Sequence, residues 1–174
     1  MKKGYLFILL AGAVLYTSAK AETTQATVYR LTPEGTGAVV GTITFTDTAQ
    51  GLRVDEKLKG LEPGEHGIHI HENGNCGSTV VDGKTVLGGA AGGHYDPHQT
   101  GRHAGPGADG HQGDLPALFA ASDGTVQATH QLTGVQASDF KGRAVIIHAG
   151  GDNYQDTPEP LGGGGGRIAC GVIE

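Results

Sequence analysis

Residues 39–46 read VVGTITFT, in which Val39, Gly41, Ile43 and Phe45 alternate with Val40, Thr42, Thr44 and Thr46. That period of two belongs to an extended strand with one apolar face, here the face of Val39, Ile43 and Phe45. The next residues continue it: Leu52, Val54 and Leu58 alternate with Arg53, Asp55, Lys57 and Lys59, and Glu56 is the one polar residue on the apolar phase. Further strands are expected at 26–31, 66–71, 115–121, 125–131, 143–148 and 168–173. Turn signals such as PEGTG (33–37), EPGEHG (62–67), SDGT (122–125) and GGGGGR (162–167) separate them. Eight short strands predict an all-β antiparallel sandwich or barrel. The only helix-like piece, GVQASDFKG (134–142), is short. Two stretches fit no strand, 74–114 and 149–166, and irregular loops of that length in a compact domain are usually functional.

The chain start, MKKGYLFILLAGAVLYTSAKA (1–21), reads as a signal peptide: Lys2 and Lys3, an apolar run too short for a stable anchor, and small residues at Ala19 and Ala21. Cleavage after Ala21 leaves a single domain, residues 22–174, exported and periplasmic where the cell has an outer membrane. No later apolar stretch approaches membrane length, so no membrane association is expected of the mature form. Removing the leader takes Lys2, Lys3 and Lys20 and no acid, which moves the formal net charge from −6 to −9. A chain this acidic is a poor ligand for nucleic acid or anionic lipid, and an anionic substrate must be drawn by a few local positive groups. Cys76 and Cys170, the only cysteines, form an even pair in an oxidising compartment. A disulfide between them would contribute roughly 4–5 kcal/mol in the chain-entropy model, against the alternative of two buried thiols.

Seven of the nine histidines fall between His66 and His111. In HGIHIHENGNC (66–76) His69 and His71 sit one residue apart, so a strand places both rings on one face with Ile70 opposite. A metal site, a pH switch and an ordinary strand end all fit that pair alone. The long loop GGHYDPHQTGRHAGPGADGHQGD (92–114) adds His94, His103, His111 and Asp114, a complete tetrahedral set for zinc with no open position. A flexible, histidine-rich metal-scavenging loop has the same spacing.

Taken together, HGIHIHENGNC, GGHYDP (92–97), GHQGDLPAL (110–118) and HAGGDNYQDTPEPLGGGGGRIACGVIE (148–174) resemble the bacterial copper,zinc superoxide dismutases over essentially the whole mature chain. The resemblance implies an eight-stranded Greek-key β-barrel, of the immunoglobulin-like sandwich type, with two long functional loops. It implies a copper ion on His69, His71, His94 and His148, a zinc ion on His94, His103, His111 and Asp114, and His94 as a bridging imidazolate. Asp152 corresponds to the carboxylate linking a copper histidine to a zinc histidine, Cys76–Cys170 to the disulfide, and Arg167 to the arginine beside the copper. The implied reaction converts superoxide to O2 and hydrogen peroxide on a redox-cycling copper, with Arg167 docking the anion and His94 carrying a proton. Lys84 is a candidate for steering, because 149–166 has acids but no lysine or arginine. His66 is expected to hold backbone, and His98 and His130 to be solvated. The glycine run before Arg167 lacks the Lys-Ser/Thr ending of a phosphate loop. Copper and zinc storage without turnover and a zinc hydrolase are the competing readings. The sequence leaves open whether the chain works alone or as a homodimer.

Overall fold

The computed structural model describes residues 21–174, so the leader, apart from Ala21, lies outside the described residues. Eleven strands follow in chain order: β1 (Thr23–Thr32), β2 (Gly35–Thr48), β3 (Gly51–Leu58), β4 (Gly64–His66), β5 (Ile68–His71), β6 (Thr79–Val81), β7 (Lys84–Val86), β8 (Leu118–Ala120), β9 (Val126–Leu132), β10 (Ala144–His148) and β11 (Arg167–Val172). One four-residue helix, α1 (Ala137–Phe140), occupies the helix-like stretch. Among the described residues no helix is long and apolar enough to cross a membrane.

The protein is all-β and antiparallel. Seven strands form one curled sheet in the order β5-β10-β11-β1-β2-β3-β9, and β4 pairs separately with β8. Because β4 runs into β5 across Gly67, and β8 turns into β9 through a bond from Ala121 N to Thr125 O, the β4–β8 pair spans between the two edge strands. The expected eight strands are therefore not reproduced one for one. The segment 66–71 breaks at Gly67 into β4 and β5, and 115–121 shrinks to three residues behind Pro116, whose ring nitrogen has no hydrogen to give a ladder. The hairpin β6–β7 stands inside the stretch read as loop. Its turn residues Asp82 and Gly83 both have positive φ, the backbone that a two-residue D-G hairpin requires.

The opening octapeptide also carries a correction. Val39 was expected inside, yet it is 52% exposed and Val40 is buried. Val28 pairs with Gly41 and Tyr29 with Val39, leaving Val40 as an extra residue. This is a β-bulge, and a one-residue slip exchanges the faces of everything before it. Gly41 accepts the strained backbone (φ 151°), where a Cβ would overlap the carbonyl of Lys57.

Inside the sheet, Ile43, Phe45, Leu52, Val54, Ile68, Ile70 and Ile147 pack with Phe140 of α1 into the main core. Phe45 and Phe140 meet edge to face at 5.7 Å. Opposite faces of β5 and β10 behave differently. Ile70 pairs with Val145 and Ile68 with Ile147 toward the core, so His71 opposite Ala144 and His69 opposite Ile146 point outward. That outer face is covered by Leu31, Ala91, Ile146 and Cys170, with Leu87 and Cys76 packed on them. The Cys76–Cys170 disulfide, its Cα atoms 5.7 Å apart, ties this cover to β11.

One inward position holds a carboxyl. Glu56 is buried, neither of its oxygens makes a hydrogen bond, and its nearest basic atom is His130 Nε2 at 3.4 Å. Burial, and then Asp55 beside it, push its pKa up to about 8. A folded-state value above the unfolded one of 4.5 means that the protonated carboxyl supports folding at low pH, and that this support is lost as pH rises toward about 8. Glu56→Gln should therefore gain stability relative to the parent as pH rises from about 5 to about 8.5, by at most ~1.4 kcal/mol per pH unit. Paired denaturant titrations of the two proteins test this, and a pH-independent difference contradicts it.

Candidate metal centre

Three chain segments meet on the outer face of β5 and β10. The strands supply His69, His71 and His148. The 72–117 connection returns alongside β5, where Tyr95 N and Gly113 O bond to the backbone of Ile70 at 2.8 Å each. These contacts set His94 opposite His71 and Asp114 opposite His69. The third segment, 149–166, brings Asp152.

Each imidazole has one nitrogen committed and one free. His71 donates from Nδ1 to Gly92 O (2.9 Å), His148 from Nδ1 to Gly165 O (3.3 Å), and His69 from Nε2 to Asp152 Oδ2 (2.7 Å). Carbonyl and carboxylate oxygens only accept, so these bonds place the hydrogens and leave bare lone pairs on His71 Nε2, His148 Nε2 and His69 Nδ1. His94 turns Nδ1 to Asp114 Oδ1 at 2.9 Å. The free nitrogens of His69, His71, His94 and His148 are all buried without a hydrogen bond, and the four residues can bring ligand atoms within 4.8 Å of one another. Four converging lone pairs with fixed tautomers fit a transition metal that takes imidazole, and the outer hydrogen bonds are those that orient such ligands.

A second quartet adjoins it. His103 is clasped between two carboxylates, with Nε2 2.7 Å from Asp152 Oδ1 and Nδ1 2.9 Å from Asp114 Oδ2, the latter too far off axis for a hydrogen bond. The grouping whose ligand atoms lie within 4.8 Å of one another here is His69, His94, His103 and Asp114, with His69 where the sequence reading has His111. His69 cannot serve both groups, because Asp152 holds its Nε2 and only Nδ1 is left free. His111 stands at the rim, its buried Nδ1 unpaired and 3.5 Å from Asp114 Oδ1.

The site is electrostatically divided. Burial, reinforced by His94 and Arg167, lowers His71 to about 2; burial likewise takes His148 to about 3 and His94 to about 4. For His103 burial works downward, but the carboxylates of Asp114 and Asp152 on its two sides outweigh it and raise the value to about 9. Both carboxyls are resisted by burial yet held well below the usual carboxylate range, chiefly by their bonds to these histidines.

Arg167 lies half-buried beside the first quartet and donates to Gly88 O and Gly92 O at 2.7 Å each. An opening of 320 Å³ leads inward past Glu159, Leu161 and Arg167 to His71, His94 and His148. Lys84 is on β7, exposed, and does not line this opening. His66 is buried with both ring nitrogens 2.8 Å from carbonyls, of His148 and Glu62, so neither is free for a ligand role. His98 is exposed, and His130 is half-buried beside Glu56. Sequence reasoning missed Gly92, whose carbonyl serves both His71 and Arg167. It also missed Glu72, whose Oε2 accepts from Gly93 N (3.0 Å) and braces that turn. The paired glycines before His94 were the available signal.

Buried, tautomer-fixed histidines around two adjoining ligand sets on an antiparallel β-sheet define a two-metal protein with a copper-type and a zinc-type pocket. The family model for copper/zinc superoxide dismutase matches residues 39–173, and the chain belongs to that family. A superoxide dismutase [Cu-Zn] of Brucella abortus is 46% identical over 170 residues, 97% of this chain and 98% of the relative. The solved Brucella abortus enzyme has a TM-score of 0.85 at 48% identity, covering 88% of this chain and all of that one. A monomeric copper, zinc superoxide dismutase from Salmonella enterica has a TM-score of 0.77 at 44% identity, covering 89% and 100%. The activity is that of an oxidoreductase, dismutation of superoxide to O2 and hydrogen peroxide with copper and zinc as cofactors.

The histidine shifts have opposite signs, and so do their consequences. His71, His94 and His148 support folding above about 6.5, and that support is lost as pH falls toward their folded values. His103 supports folding below about 6.5, and loses its contribution as pH rises through about 9. The metal-free protein should be most stable near neutral pH. Its urea midpoint should fall when measured at about pH 4.5 or about pH 9.5, and a midpoint that holds at pH 4.5 contradicts the burial of neutral imidazoles.

Proposed function

We propose that His69, His71, His94 and His148 hold copper and that His94, His103, His111 and Asp114 hold zinc, with His94 as the shared imidazolate. The observation that carries this is the state of His94: its Nδ1 faces Asp114 while its buried Nε2 points, unpaired, among the other three histidines. Copper bound there supplies one-electron chemistry, and zinc a redox-inert charge. The chain does the rest. His94 Nε2 is the atom that takes up and returns a proton between the two half-reactions. Arg167, its guanidinium fixed by two carbonyls at the base of the opening, docks the superoxide anion. Lys84 adds positive field from its hairpin. Asp152 keeps His69 and His103 in the tautomers that metal binding needs.

The protein acts in the periplasm after loss of residues 1–21, where it protects the cell envelope from superoxide. Every proposed ligand comes from one chain, so a single copy suffices for activity and a homodimer is compatible with it.

Residues 22–174, reconstituted with copper and zinc, should remove superoxide at a rate approaching the diffusional ceiling of about 10⁸–10⁹ M⁻¹s⁻¹, followed by pulse radiolysis. Metal uptake without fast turnover would instead support storage. His94→Ala should abolish the spectroscopic coupling between the two metals, and retained coupling removes His94 from the bridge. Asp152→Asn should weaken zinc retention about 10–100-fold in chelator competition; unchanged retention contradicts its orienting role.

A further inference from the structure

The zinc-type pocket has an approach of its own. A second opening, of 220 Å³, lies between the 92–114 loop and the segment 132–135, lined in part by His98, His111, Gln112, Asp114, Leu132 and Val135. It shares no lining residue with the opening that reaches His71, His94 and His148, and His69 does not line it either. Asp114 is buried at this site, and His111 has 9% of its side chain exposed, with Nδ1 buried and without a hydrogen bond. No lysine or arginine is among the lining residues, so none of them repels a cation. At ~30 Å³ per water, the volume admits a divalent ion with its hydration shell.

His98 is the exposed imidazole of this lining. Its turn is fixed: Gln99 N bonds to Asp96 O at 3.1 Å, closing a β-turn with Pro97 and His98 at its centre, and Gly101 N bonds to Asp96 Oδ2 at 2.8 Å. The ring is therefore presented to solvent from a braced backbone, with the buried ligand atoms of His111 and Asp114 further in. We infer that zinc enters the protein through this second opening, and that His98 captures the ion there before His111 and Asp114 take it up. Each transfer exchanges one lone-pair donor on the ion for another. A water or the His98 nitrogen leaves as His111 Nδ1 or an Asp114 oxygen binds, and the charge of the metal does not change. His98 is thus a loading ligand and not a holding one. Such a group changes entry and exit rates by one factor, because both cross the same barrier, and leaves the equilibrium affinity as it was.

The inference rests on the proposed zinc set, and the test separates the two. Parent, His98→Ala and His98→Lys are compared at neutral pH for zinc uptake by the protein carrying copper alone, followed as loss of free zinc from an indicator dye. Zinc release from the fully loaded protein to excess chelator, zinc affinity and copper uptake by the metal-free protein are measured alongside. His98→Ala should slow zinc uptake and zinc release alike, about threefold. His98→Lys should slow both about sevenfold, the Coulomb factor for a divalent ion ~7 Å from a unit charge in water. Zinc affinity and copper uptake should match the parent. Unchanged zinc rates in both variants overturn the inference and leave the zinc set standing. Equal slowing of copper also overturns it, since both ions would then share one approach. A changed affinity at parental rates does the same, since His98 would then be a holding ligand. Failure of the parent to retain one zinc per chain overturns the zinc set and the inference together.

Discussion

The geometry of the site depends on one buried carboxylate. Asp152 accepts hydrogen bonds from His69 Nε2 on β5, from His103 Nε2 on the long connection (2.7 Å each) and from Tyr154 N at 2.8 Å. A buried charge without partners is strongly unfavourable, so these bonds must form together if the segment is to be buried at all. Its position close after His148 in sequence means that burying it also closes 149–166 over the cluster. Gly162 then fits against Asp152 and His103 where no side chain has room. Three segments distant in sequence are thereby brought together by one group, and each imidazole that it touches is left with its other nitrogen free.

The β-sheet provides what that arrangement needs, a rigid outer face. His69 and His71 are fixed by the alternation of β5, and their register against β10 is held by the apolar residues on the opposite face, since a slip of one residue would bury the histidines in the core and expose the isoleucines. Polar residues on an outward face would ordinarily be solvated. Here the 72–117 connection and its disulfide cover them, and exclusion of water is what keeps His71, His94 and His148 neutral. The core therefore fixes where the ligands point, and the loops fix their protonation.

Much of this was legible in the sequence, for physical reasons. Alternation at 52–58, the apolar run at 144–147 and the H-x-H pair are local properties that folding leaves intact. The disulfide was legible because the chain start reads as a secretory leader and only two cysteines follow it. The bulge at Val40 was not, because an extra residue in a strand preserves composition while reversing the phase, and Gly41 was its only trace. The break at Gly67 was hidden in the same way, within a segment that reads as one strand. Glu56 stood out as a mismatch in its strand, but its partner His130 lies on β9, and pairing between distant strands is not written in local pattern. Ligand sets were recognisable as a family pattern, whereas the backbone acceptors that set the tautomers belong to glycines without side chains to mark them.

Gly92 shows what those acceptors accomplish. Its carbonyl receives Nδ1–H of His71 and a guanidinium hydrogen of Arg167. One oxygen thus sets both the direction of a metal-facing lone pair and the position of the cation that meets the substrate. Were the two held by separate elements, small movements of the loop would change the distance between docking site and redox centre. With a shared acceptor they move together, and Gly88, holding the other side of the guanidinium at 2.7 Å, prevents rotation about that single bond. The disulfide extends the same logic: Cys170 lies three residues from Arg167 on β11, and Cys76 anchors the segment that carries Gly88 and Gly92. The crosslink joins the strand presenting the guanidinium to the loop presenting its acceptors, so it stabilises the docking geometry as well as the fold.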